Sequence, residues 1–226
     1  MDFMGFKDFI KFVAKGENSF VKSVFISLFV SFFIFLIIYF LKFRFIDSFM
    51  IKYGFYIFFS ILSYSLIIPS LKQIRPYKEF PCMGGMMVGM TIGMIAGFLP
   101  GFFIGATNGM FWGSVWGMMV GITLGVLAGK CCGIMGIMEG MMSGFMGSLM
   151  GAMTAIMMFN DNLKIAGVIV FAISSFILIG LNFMIYRETK SSRKYEDNLF
   201  NVVLSFILTT LTMWLMVYGP RSVLFQ

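Results

Sequence analysis

The chain has 226 residues, enough for one or two soluble domains, yet 59% are apolar and only 12% charged. A globular surface takes about a quarter of charged residues, so most of this chain must face lipid or other apolar helices. The 17 Lys/Arg against 10 Asp/Glu give +7, which in such a chain marks basic anchoring loops and excludes a nucleic-acid groove, while zero histidine removes imidazole bases and imidazole zinc sites together.

Residues 1–22 form a basic segment with Lys7, Lys11, Lys15 and Lys22. The apolar run from Val24 to Leu41 is longer than a signal h-region and lacks a cleavage site after it, so it reads as a retained membrane helix. A second helix is expected over Tyr53 to Leu71, with Pro69 in its last turn. Its Ser60, Ser63, Ser65 and Tyr64 can hydrogen-bond within or between helices. Residues 23–80 thus hold two Phe/Ile-rich membrane helices and a basic loop.

From Met83 to Met158 the chain is almost uncharged, and a bilayer needs about 20 residues per helix, which gives three crossings. Pro100 and Thr107-Asn108 are expected to bracket one turn, and Lys130-Cys131-Cys132-Gly133 the other, because helix breakers and polar groups belong near the interfaces. Two more crossings, near 165–186 and 198–218, close the C-terminal part, 159–226, around a charged segment from Arg187 to Asp197. The expected fold is all-α: a polytopic membrane protein of about seven transmembrane helices. With the N terminus cytoplasmic, twelve of the 17 Lys/Arg fall inside and five outside, which sets the orientation by the positive-inside rule. The same orientation places the three cysteines at cytoplasmic helix ends, where thiols stay reduced.

Residues 81–158 hold 17 of the 23 Met and 19 of the 25 Gly, but only 5 of the 30 Phe. This change of composition sets the segment apart as a central three-helix core. Its glycines recur every four residues from Gly85, Gly89 and Gly93 through Gly113, Gly117, Gly121 and Gly125 to Gly133, and the phase resumes at Gly136, Gly140, Gly144, Ser148 and Ala152. Residues four apart share a helix face, and a face without side chains lets a partner backbone approach closely. The partner can be a helix of the same chain or of a second copy, and the length of the stripe favours a homo-oligomer.

Met86, Met90 and Met94 lie on one helix face, as do Met138, Met142, Met146 and Met150, so each stripe offers a ladder of thioether sulfurs. Thioethers are neutral soft ligands that select Cu(I) over Mg²⁺, Ca²⁺ and Zn²⁺. Gap filling beside glycine is the plainer role for a flexible side chain of this kind. Cys131 and Cys132 follow Lys130, whose charge favours thiolate, and with Cys82 they form a candidate cytoplasmic three-sulfur site. Glu139, the one acidic residue well inside an expected crossing, is a candidate proton or cation relay, or a carboxylate solvated near a helix N terminus.

Met-x-x-x-Met beside Gly-x-x-x-Gly, here Met86 and Met90 with Gly85 and Gly89, resembles a feature of the copper-uptake transporter family. The likeness covers a few residues, concerns ligand chemistry and assigns no family. Two functions follow. One is a transporter or channel for a soft cation, Cu(I), moved along the Met ladders to the cysteine site and passed to a cytoplasmic metal-carrier protein. The other is a non-transporting membrane scaffold whose Gly and Met serve helix packing alone. No acid–base pair or phosphate-binding loop supports an enzyme.

Overall fold

The computed structural model describes residues 18–41, 53–74, 82–130, 133–159, 161–188 and 199–219. Seven helices account for the regular structure among them: α1 (Asn18–Leu41), α2 (Gly54–Ile74), α3 (Cys82–Asn108), α4 (Met110–Gly129), α5 (Gly133–Met157), α6 (Leu163–Glu188) and α7 (Leu199–Tyr218). The five from α2 to α6 are long and apolar enough to cross a membrane, whereas α1 and α7 carry shorter apolar stretches, Val24–Ile37 and Val202–Tyr218. The described residues are therefore all-helical, with five helices that could span a membrane.

Two breakers expected to mark helix ends lie inside helices. Pro100 sits within α3, which runs on to Asn108, and Pro69 sits within α2, which continues to Ile74. Proline removes one backbone donor, a loss that membrane helices tolerate where neighbours cover the freed carbonyl. Both prolines are buried among neighbouring helices. The turn between α3 and α4 is made by Gly109 alone, at φ 99 and ψ 171. That region is open to glycine and costs any other residue strain.

The helices fall into two groups that share α3. On one side α3, α4 and α5 pack on one another; on the other, α2 joins α1, α3, α6 and α7. The apolar core lies where the groups meet. Tyr64, Ile67 and Ile68 of α2, and Ile92, Leu99, Phe102, Phe103 and Ile104 of α3, are essentially solvent-free. Phe59 of α2 meets Phe103 of α3 and Phe171 of α6, with ring centroids 6.2 and 5.4 Å apart, so aromatic edges and faces close this seam.

α5 differs from the rest because it packs chiefly on α3 and α4. Its opposite face is covered by nothing in the described chain. The outward residues of α1 are Phe25, Phe29, Phe32 and Phe33, and those of α6 are Ile165, Ile169, Ile173 and Phe176. Those of α5 are nearly all methionine.

Candidate functional site: a glycine ladder and its methionine face

The three-helix group is built on rungs with one residue from each helix. Gly89 meets Gly129 and Gly136; Gly93 meets Gly125 and Gly140; Gly97 meets Gly121 and Gly144. Gly101 and Gly117 then meet Ser148, and Gly105 meets Gly113 and Ala152. A Cβ on Gly93 would stand 2.7 Å from the Gly140 carbonyl oxygen, and one on Gly113 would stand 2.6 Å from the Gly105 Cα. These positions are taken by backbone, which cannot swing aside as a side chain can. Such approach favours dispersion and Cα–H···O contacts, the forces available to helices that gain nothing from water exclusion.

The order of the rungs explains the phase of the sequence. Along α3 and α4 the partners lie at equal distances on either side of Gly109. The hairpin therefore folds on a member of the stripe, and the four-residue count passes through the turn unbroken. Along α4 and α5 the pairs Gly129–Gly136 and Gly125–Gly140 centre between Cys132 and Gly133. No residue stands at that centre, so the count must shift there, and it does between Gly133 and Gly136. Gly133 itself has φ 68 and touches nothing that a Cβ would meet; its glycine is required by the backbone and not by a neighbour.

α5 carries a second small-residue stripe, also at four-residue spacing but out of phase with the first. The places where Cβ atoms of Gly147 and Gly151 would stand are filled by the carbonyl oxygens of Met94 and Phe98, and Ser143 fills the place beside Gly93. The Ser143 hydroxyl donates to the Gly140 carbonyl at 3.0 Å, so it brings no unsatisfied proton into the seam. Gly85 is buried on the same helix as these partners.

Apart from Gly109 and Gly133 at the turns, the stripe glycines from Gly89 to Gly144 are thus consumed by contacts inside one chain, and a second copy would have to meet the protein on another surface. The methionines are what remains outside. Met138, Met142, Met146 and Met150 are 53–63% exposed, Met90 and Met94 are exposed, and Met86 is half-buried. Met135, Met141, Met153 and Met157 join the α5 face. The three atoms nearest to each glycine position described include no methionine side-chain atom. Nor do these sulfurs line a passage between helices of the same chain: the two ladders stand on the perimeter.

Glu139 lies on that outer face, solvent-accessible in the second turn of α5. Cys131 and Cys132 fall outside the described residues, as does the side chain of Cys82, which begins α3. Among the described residues no three His, Cys, Asp or Glu side chains come together; the soft donors available there are thioethers alone.

A different polar feature links the helices grouped around α2. Asn182 of α6 donates through Nδ2 to Ser70 Oγ of α2 at 3.2 Å, and Ser27 of α1 meets Ser205 of α7 at 3.0 Å. Asn108, at the end of α3, donates to the Leu215 carbonyl of α7 at 2.8 Å. The α2 hydroxyls stand out in the sequence as polar breaks in an apolar run. Their partners Asn182 and Thr212 do not, because only the packing shows which helices meet.

No family model, no curated protein and no solved structure matches the chain.

Proposed function

We propose that the protein is a membrane transporter or channel for a soft metal cation, Cu(I), with the thioethers of Met86, Met90, Met94, Met138, Met142, Met146 and Met150 as its ligands. One observation carries this reading: the sulfurs of α5 are turned outward while Gly, Ser and Ala do all the packing on its inner side. The outward faces of α1 and α6 bear Phe and Ile instead. Weak, neutral, repeated donors suit an ion that must enter and leave. In this reading the chain makes seven crossings with its N terminus in the cytoplasm, and Glu139 neutralises the entering cation. Cys82, Cys131 and Cys132 form the cytoplasmic delivery site.

The test compares wild type with Met86→Leu/Met142→Leu, which conserves volume at two accessible positions. Metal accumulation should be lost while expression and assembly persist; normal accumulation by the double variant rejects the ladder. The second reading is a non-transporting scaffold whose Gly and Met serve packing alone, with α5 presenting its surface to lipid or protein. There Gly117→Leu abolishes assembly and every Met→Leu change is silent.

A further inference from the structure

The outer face of α5 is not built like the outer faces of its neighbours. It carries ten large apolar side chains that are 41–82% exposed, eight of them methionine, where α1 and α6 turn out chiefly Phe and Ile. Methionine is flexible and polarizable, and it adapts to partner surfaces of irregular shape. Together the ten side chains expose about 1,000 Å², against about 800 Å² per partner in a stable interface. The small residues on the other side of α5 are already spent on α3 and α4, so a partner from outside the chain can meet this helix only here.

Glu139 belongs to the same face, with Met135 four residues before it and Met142 three after it. Phe145 is the middle residue of the 25-residue α5. With α5 centred in a bilayer, Glu139 therefore stands about 9 Å from the midplane, inside a hydrocarbon half-thickness of about 15 Å. The accessible threonines Thr91, Thr123, Thr154 and Thr210 each donate to a carbonyl four residues back on their own helix, which satisfies a hydroxyl that faces lipid. A carboxyl group has no such recourse, and Glu139 makes no hydrogen bond or ion pair among the described residues. An acidic side chain at this depth is expensive against lipid and belongs at a contact with protein.

We propose that the outer face of α5 is the contact between two copies of this chain, with Glu139, Met142 and Met146 of each copy at its centre. Copies inserted in one membrane share an orientation, so a two-fold axis relating them runs along the membrane normal and sets each residue against its own counterpart at the same depth. The two Glu139 carboxyl groups meet there, supply each other's hydrogen-bond partner and leave the lipid. The contact stands whether or not the methionine sulfurs carry metal.

Single-molecule photobleaching of the full chain, one fluorophore per copy, in dilute lipid vesicles without added metal reads the copy number. Two steps are expected as the main population; one step, or more than two, overturns the proposal. The surface is read by disulfide formation with iodine in the membrane, in a chain whose Cys82, Cys131 and Cys132 are replaced by serine. Met142→Cys and Met146→Cys should each join copy to copy several-fold more than Ile173→Cys, which faces outward from α6. Yields no higher than that control, or a product whose mass is not twice that of the chain, overturn the proposal. Glu139→Leu should lower the two-step fraction several-fold at equal lipid dilution while Glu139→Gln, which keeps a hydrogen-bonding end, retains it. An unchanged fraction in Glu139→Leu removes Glu139 from the contact and overturns the proposal as stated.

Discussion

Gly97 and Gly121, on antiparallel helices, approach so closely that a Cβ on Gly121 would stand 2.7 Å from the Gly97 Cα. The neighbouring atoms are main chain on both sides, including the Gly144 carbonyl oxygen at 3.0 Å. Gly121→Ala therefore forces helix axes apart and should cost about 1–3 kcal/mol. Gly180 of α6 meets nothing within 4 Å and has no positive φ, so Gly180→Ala should leave stability unchanged or raised. Thermal unfolding in one detergent compares the two; equal losses would mean that the close approach does not limit stability.

Gly109 and Gly133, the two positive-φ glycines among the described residues, should differ in what replaces them. Gly133, at φ 68 with open space around it, suits asparagine, whose side chain tolerates the left-handed region. Gly109, at φ 99 and ψ 171, sits where only glycine is comfortable, and asparagine there should cost about 1–3 kcal/mol. Unfolding midpoints of Gly109→Asn well below those of Gly133→Asn are expected; the reverse order would contradict the turn geometry.

Asn182 and Ser70 form one buried pair between α6 and α2. Ser70→Ala should cost about 1 kcal/mol, because Asn182 Oδ1 is already without a partner and Nδ2 would join it. Adding Asn182→Leu should return part of that loss. A double-mutant cycle with no coupling would show that the bond contributes nothing.

The α5 methionines touch no glycine rung, so Met142→Leu and Met146→Leu should each change stability by no more than about 0.5 kcal/mol. The check is thermal unfolding without added metal. A large loss would restore a packing role and count against any ligand role.

Much of this arrangement was legible before the structure. The helix limits followed from apolar runs and polar links, and they stand within a few residues, apart from the two buried prolines and the start of α1, which lies at Asn18, six residues before Val24. The glycine face was legible because four-residue spacing is a local property of one helix. So was the outward aim of Met138, Met142, Met146 and Met150, had the two stripes been compared: each lies two residues from a rung, about 200° around the helix. What the sequence did not disclose is pairing. Nothing local to Tyr64 points to Trp116 or Thr212, and the stripe of Ser143, Gly147 and Gly151 gains meaning only beside the backbone of α3.

The ladder repeats, and a repeating ruler can be misread. Sliding α3 past α4 by four residues, about 6 Å, would set glycine against glycine again, so most rungs do not know their own number. What fixes the register is whatever breaks the repeat: the single-residue turn at Gly109, the shifted count after Gly133, and the two rungs where Ser148 and Ala152 stand in place of glycine. A chain lengthened at Gly109, or with Ser148 and Ala152 both changed to glycine, would keep its close packing and lose its address, with several alignments of nearly equal energy in place of one.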